Sequence, residues 1–392
     1  MMLAPVPIGA DALLEDLLDQ ARARRATDVH LTPDAREVRV SLRVDGILRP
    51  QSWCIDPRDY EVLVGRLKVL AGLNMAERRR PQTGAIGEGG RAGLELRVSF
   101  LPSTEGEATA LRLLTSGFAA LSLGRLGLTG SLEARLASLV TRPSGLVLVV
   151  GPTGSGKTTT LYALIDELTR SNRRILTVED PVERRIDGAT QVQVDRDAGF
   201  DFGEALRGVL RHDPDVIMVG EVRDAETASI AVSAALSGHL VLASMHAEGP
   251  LSALERLVHL QVDRRRLVAV LAGIVTQRLV RIACRSCAGT GKPGGRAPGG
   301  VGGATRGGCP WCSDCGFSGR TGVFGLLEPD PVLRRRLLAS DPTLAADGEE
   351  LAQLVQQAKE RLIAGETTER EVARVLPWTA LSATETRGAT GG

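Results

Sequence analysis

The chain has 392 residues, 43% of them apolar and only 3% aromatic, with 48 basic against 47 acidic side chains. That length is expected to form two or three domains with real cores, while the scarcity of aromatics and the balanced charge argue against base stacking and against a generally basic nucleic-acid binder. No apolar run approaches the roughly 18–20 residues a spanning helix needs, and no basic segment precedes an apolar core at the N-terminus, so a cytoplasmic protein is expected, with membrane contact only through a partner.

Residues 1–25 carry a short amphipathic helix over 11–25, with Leu13, Leu14, Leu17 and Leu18 on one side. The period then changes to two. Val38, Val40, Leu42 and Val44 alternate with Arg39, Ser41 and Arg43, and Leu94, Leu96, Val98 and Phe100 alternate with Glu95, Arg97 and Ser99, the pattern of half-buried strands. Asp45-Gly46 is a turn signal, and a helix is expected over 58–73. Residues 26–115 thus read as a small α+β domain, and 116–130 as a linker. From 131 to 283 the apolar runs 146–150, 175–178, 216–219 and 240–243 alternate with helical segments, which predicts a mainly parallel sheet covered by helices. Residues 284–325 hold two C-x-x-C pairs around a glycine-dominated stretch, 288–308, expected to be a flexible loop. Residues 326–377 return to helix over 348–376, where Thr368 and Glu371 make a capping box. The tail 378–392 is small and polar and is expected to be disordered.

The stretch Gly151-Pro152-Thr153-Gly154-Ser155-Gly156-Lys157-Thr158 fits G-x-x-x-x-G-K-[ST], between a strand-like run and a helix-competent run beginning at Thr159. The glycines let backbone N–H groups turn toward phosphates, and the helix N-terminus adds partial positive charge. Lys157 is expected to reach the β- and γ-phosphates and Thr158 to ligate Mg²⁺, so residues 151–159 are the candidate contacts for ATP.

Glu221 follows the buried run 216–219; near a phosphate loop it is a candidate for deprotonating the attacking water, and otherwise a surface Glu in a turn. Glu179 and Glu183 lie in Glu179-Asp180-Pro181-Val182-Glu183, on a loop at a strand end because Pro181 disfavours helix at Asp180. Open α/β sheets place ligands there, so the choice is water activation or metal organisation against a solvated acidic turn. Arg207 and Arg211 share one helix face at i, i+4, as surface ion pairs or as cations for transition-state charge. His239 and His246 flank the run 240–243.

Cys284, Cys287, Cys309 and Cys312 form two C-x-x-C pairs separated by 21 residues. Four thiolates in two knuckles suit a closed, structural Zn²⁺ site. Cys315 leaves the register ambiguous, with Cys309 and Cys312 preferred. Cys54 stands alone and is expected to be a small core residue.

The chain resembles the secretion ATPases that power type II secretion and type IV pilus assembly (the GspE/PilB-like family) over about residues 26–376. The resemblance rests on Thr27-Asp28-Val29-His30, on Leu42-Arg43-Val44-Asp45-Gly46-Ile47-Leu48, on Ala76-Glu77-Arg78-Arg79-Arg80-Pro81-Gln82, and on Thr177 through Glu183, which looks like the Asp box. It continues through Leu210-Arg211-His212-Asp213-Pro214-Asp215 into the Walker B segment with Glu221, through Ser237-Gly238-His239 to His246, the His box, and through the tetracysteine motif followed by Gly319-Arg320-Thr321-Gly322. It implies a RecA-like, homohexameric ATPase whose smaller N-terminal domain closes as ATP cycles, and partners in an inner-membrane platform rather than nucleic acid. It further implies phosphate contacts from Arg97 and Arg112 in the smaller domain and from Arg207 and Arg211 in the larger, with His246 sensing the γ-phosphate. The segment before the Asp box looks more like type II secretion than pilus assembly. The family's GER reads Gly106-Glu107-Ala108 here, its PQDG reads with Thr83, and its His box ends Ser244-Met245-His246-Ala247. Family members usually carry a longer N-terminal domain for docking on the platform; about 25 residues precede the match here, which implies another docking surface or a divergent or truncated member.

Overall fold

The computed structural model describes residues 9–87, 95–114, 122–128, 130–196, 198–287, 308–312, 315–339 and 349–376. The expected glycine loop lies almost wholly outside these residues and the tail wholly so, while the expected linker is described at 122–128 and 130. The chain divides into two compact units, Met1–Phe118 and Ala119–Gly392.

The first unit contains α1 (Ala10–Ala23), β1 (Ala26–Pro33), β2 (Val38–Val44), β3 (Ile47–Ile55), α2 (Pro57–Leu70), β4 (Gln82–Ile86), β5 (Glu95–Ser103) and β6 (Gly106–Leu114). Its strands form one antiparallel sheet in the order β3-β2-β1-β6-β5-β4. The alternation in β2 buries Val38, Val40, Leu42 and Val44, and these pack with Leu13, Leu17 and Leu18 of α1 and Leu63 and Leu67 of α2 in one core. Asp45 and Gly46 both take positive φ, +49° and +82°, the two-residue turn that matches hairpin twist. Asp56 caps α2 by accepting from the Arg58 N–H, and Pro57 starts it. Cys54 is exposed on edge strand β3 rather than in the core; residues 47–55 alternate, and position 54 falls on the outward side of that alternation.

Glu107, in the altered GER segment, forms a buried ion pair with Lys68 at 2.7 Å, and Lys68 also donates to the Glu77 carbonyl at 2.7 Å. Side-chain exposures of 1% and 7% leave neither charge to water. Lys68→Met is therefore expected to lower stability by about 3–5 kcal/mol in urea unfolding, because a buried carboxylate loses its partner. Adding Glu107→Leu should recover most of that loss.

The second unit contains α3 (Gly130–Thr141), β7 (Gly145–Val150), α4 (Lys157–Leu168), β8 (Ile175–Glu179), β9 (Ala189–Gln193), α5 (Phe202–Val209), β10 (Val216–Val219), α6 (Ala225–Leu236), β11 (Leu240–Met245), α7 (Pro250–His259), α8 (Arg264–Val270), β12 (Leu271–Ala283), β13 (Phe317–Leu327), α9 (Pro331–Ala339), α10 (Glu349–Ile363) and α11 (Glu369–Val375). The sheet runs β13-β12-β7-β11-β10-β8-β9, parallel throughout except for β12 with β13. Continuous apolar runs are required because both faces are covered. Leu146, Leu148 and Val150 of β7 enter one core with α5, α6 and α8, while Val147 and Val149 enter the other with α3 and α4. Leu123, Leu126 and Leu128, inside the expected linker, are buried in that second core.

Two local expectations change. Helix α5 stops at Val209, and Arg211 sits in a separate 3-10 turn over Leu210–His212 that ends at Asp213 with φ +51°, so Arg207 and Arg211 do not share an α-helical face. Thr368 caps α11 by accepting from the Glu371 N–H, but Glu371 does not return the bond. Its buried carboxylate instead accepts from Arg281 on β12 and Arg374.

Candidate nucleotide and metal sites

In a parallel sheet all strand C-termini lie on one edge. The order β7-β11-β10-β8 places there, on consecutive strands, the loop after Val150, His246 after Met245, Glu221 after Val219 and Gly220, and Glu179. Four segments far apart in sequence therefore meet at one sheet edge, where open α/β folds bind ligands.

The phosphate loop has a bare backbone where space demands it. A Cβ at Gly151 would stand 2.5 Å from Ser155 Oγ and 2.6 Å from the Gln277 carbonyl oxygen, and one at Gly156 would stand 2.8 Å from Gln277 Nε2. Gly154 and Gly156 also take φ of +75° and +90°, open mainly to glycine. Helix α4 starts at Lys157, presenting its unpaired N–H groups and positive dipole end to the loop. Ser155 Oγ is buried with no partner among the described residues, a polar atom placed where a phosphate oxygen can satisfy it. Lys157 Nζ donates to the carbonyls of Gly151 and Pro152, 3.0 Å each. Burial lowers its pKa; Glu221 opposes this, and Arg278 adds to it. Thr158 and Thr159 are half-buried in the first turn of α4. This loop fits a nucleoside triphosphate.

Glu221 is half-buried, and its Oε2 accepts from Arg223 at 2.7 Å. The Ser244 hydroxyl donates to the Gly220 carbonyl at 2.5 Å, and the Val222 N–H to the Ser244 carbonyl at 2.9 Å, so β11 fixes the turn on which Glu221 stands. Glu179 is only 2% exposed. Its Oε1 accepts from Thr177 at 2.7 Å and Gln191 at 3.0 Å, and its Oε2 from the Tyr162 hydroxyl. That hydroxyl accepts the Glu183 N–H at 2.9 Å, so the Asp-box loop is stitched to α4, and burial beside Glu179 pushes the Tyr162 phenol well above its usual range. The Glu183 side chain is exposed.

His246 is exposed, with Nδ1 3.5 Å from Thr153 Oγ1 of the phosphate loop. His239 is at the other end of β11, where its Nδ1 bonds the Ala234 carbonyl at 2.8 Å and closes the end of α6. Arg207 is exposed and paired with Glu226, and Arg211 is exposed with no carboxylate partner among the described residues. Arg97 and Arg112 lie in the first unit, directly opposite each other on β5 and β6, with Arg112 donating to Asp28 at 2.9 Å.

Two neighbours of the site lie outside every sequence motif, and a third, Arg223, lies in the Walker B segment without having been singled out there. Arg223 pairs with Glu221; Gln277 and Arg278 lie on β12 beside the phosphate loop. Gln277 Oε1 accepts from Thr160 at 2.7 Å, and Arg278 donates to the carbonyls of Gln277 at 3.0 Å and Glu248 at 2.6 Å. The available signal was a glutamine and an arginine interrupting the apolar run 271–280.

The buried thiols of Cys284, Cys287, Cys309 and Cys312 all lie within 4.8 Å of one another. The pairs 284–309, 287–312 and 309–312 are 3.9 Å apart, against an edge of about 3.8 Å for a tetrahedron with Zn–S near 2.3 Å. Burial pushes the Cys312 thiol up, but N–H groups of Cys309, Gly316 and Cys315 outweigh it and bring it to about 7, which favours the thiolate that a metal needs. Cys315 stays outside the four, donating to the Phe317 carbonyl at 2.9 Å. The donor set fits a tetrahedral metal site.

A parallel sheet with a phosphate loop after a central strand and acidic residues at neighbouring strand ends is the architecture of a P-loop ATPase. The chain belongs to the Type II/IV secretion system protein family, whose model matches residues 8–374. It is 41% identical over 371 residues to the type II secretion system protein HxcR of Pseudomonas aeruginosa, covering 93% of this chain and 76% of that protein. It is 39% identical over 361 residues to the type II secretion system ATPase E of Vibrio cholerae, covering 86% of this chain and 71% of that one. Among solved structures its fold is similar to the Legionella pneumophila ATPase DotB, with TM-score 0.70, 20% identity and coverage of 95% and 97%. It is also similar to the pilus retraction motor PilT with bound ADP, with TM-score 0.64, 25% identity and coverage of 93% and 97%.

Proposed function

We propose that this chain is the ATPase motor of a type II secretion system, hydrolysing ATP in a Mg²⁺-dependent reaction to drive pseudopilus assembly and protein export. The observation that carries the reading is the convergence of the phosphate loop, Glu221, Glu179 and His246 on four consecutive parallel strand ends, in a chain about 40% identical to type II secretion proteins over most of its length. Residues 151–159 hold the nucleotide, with Lys157 on its terminal phosphates and Thr158 on the cation. Glu221, once its carboxylate leaves Arg223, takes a proton from the attacking water. Glu179 orders the Asp-box loop through Tyr162, and Glu183 supplies an exposed carboxylate there. His246 reports the γ-phosphate to the loop after β11. Arg207, Arg211, Arg97 and Arg112 supply cations for the charge that develops during phosphoryl transfer. Cys284, Cys287, Cys309 and Cys312 hold a structural Zn²⁺.

The working form is a homohexamer on the cytoplasmic side of the inner membrane, joined to it through platform proteins. Among the described residues no helix is long and apolar enough to cross a membrane. Size-exclusion chromatography with and without ATP, run beside phosphate release, tests the motor. Nucleotide-promoted hexamers with turnover unaffected by duplex DNA are expected. A monomer with negligible turnover, or DNA-stimulated turnover, would overturn it.

A further inference from the structure

Gln277 lies close beside the phosphate loop at its entry and at its last glycine, and bonds to α4 just past the loop. The position a Cβ would take on Gly151 is 2.6 Å from the Gln277 carbonyl oxygen, and that on Gly156 is 2.8 Å from Nε2. At the exit, Oε1 accepts from the Thr160 hydroxyl at 2.7 Å. Gly156 and Thr160 are themselves joined, because the Thr160 N–H donates to the Gly156 carbonyl at 3.0 Å. One carboxamide therefore spans both ends of the opening turn of α4, the turn that carries Lys157 and Thr158. Gln277 and Thr160 are 2% and 0% exposed, so neither polar group has water as an alternative. A leucine of similar size would suit the run Ile274, Val275 and Val280 around it, and a buried amide is costly unless paired. The next residue holds the glutamine in place, since Arg278 Nη1 donates to the Gln277 carbonyl and its Nη2 to that of Glu248, two residues past His246.

We propose that Gln277 is a positioning residue for nucleotide binding: it clamps the first turn of α4 against β12, so that the phosphate loop is already shaped for a triphosphate when ATP arrives. The inference rests on the ATPase reading above. A core glutamine with a purely structural role would change melting temperature; a positioning role changes nucleotide affinity.

The test uses the full chain as wild type, Gln277→Leu, Thr160→Val and the double variant, with a fluorescent ATP analogue for affinity, steady-state phosphate release, and thermal melting without nucleotide. Gln277→Leu is expected to weaken analogue binding about 10-fold, the scale of one lost buried hydrogen bond and the orphaned hydroxyl it leaves. KM should rise in step, with kcat within about threefold of wild type. Thr160→Val, which removes the same bond from the other side and serves if the first variant does not fold, should weaken binding to a similar extent. The double variant should be no worse than either single one, since coupled residues are not additive. Wild-type affinity in a Gln277→Leu protein that only melts earlier, or fully additive losses in the double variant, would overturn the proposal. A wild-type chain that binds no ATP would overturn the ATPase reading itself.

Discussion

Glu221→Gln is expected to keep ATP bound and to lower kcat by about 10²–10⁴-fold, the usual contribution of a positioned general base. The substitution preserves shape and removes only the basic oxygen. The turn beneath it stays in place, because Gly220 and Val222 are held to Ser244 by backbone carbonyl and N–H groups that the side chain does not touch. The neutral amide also frees Arg223 from its 2.7 Å ion pair, so binding should be retained or slightly tightened. Glu179 cannot take over, since both of its oxygens already accept bonds from Thr177, Gln191 and Tyr162. Analogue binding together with phosphate release checks the split, and near-normal turnover in Glu221→Gln would refute the assignment.

Removing the metal is expected to loosen the knuckles and spare the nucleotide site. Structural zinc in small thiolate sites is worth on the order of 10–16 kcal/mol apparent, so Cys284→Ser should lose bound zinc and become protease-sensitive within 284–325. The phosphate loop is insulated because the far end of β12 is pinned without metal. The Ala283 N–H donates to the Glu366 carbonyl at 2.8 Å, Thr367 donates to the Arg281 carbonyl at 2.8 Å, and Arg281 pairs with Glu371 at 2.7 Å. Zinc content, limited proteolysis and ATP affinity measured on one sample decide the matter. A loss of affinity in step with the loss of zinc would show that the two sites are coupled.

The core strands of the second unit were legible because burial on both faces leaves no polar positions; 146–150, 216–219 and 240–243 could be little else. The phosphate loop was legible because its glycine spacing is a local signal, with Gly154 and Gly156 at positive φ, although the crowding at Gly151 and Gly156 comes from remote Gln277. Strand β12 was not. Gln277, Arg278 and Arg281 break its apolar pattern, and their reason is tertiary: each bonds to a segment remote in sequence, at Thr160, Glu248 and Glu371. The engagement of Glu179 was hidden for the same reason, since Tyr162 and Gln191 come from α4 and β9. Arg211 shows the opposite failure. Spacing of i, i+4 assumed that a helix continues through Leu210, whereas Asp213-Pro214 tightens the chain one turn earlier.

The lysine of the loop closes on its own backbone, bonding the carbonyls of Gly151 and Pro152 at 3.0 Å. An incoming nucleotide therefore does not meet a bare cation; it must exchange places with two carbonyl oxygens. On the proposed reading, a Mg²⁺-triphosphate competes with those carbonyls better than a single phosphate does, because it brings more charge to the ammonium.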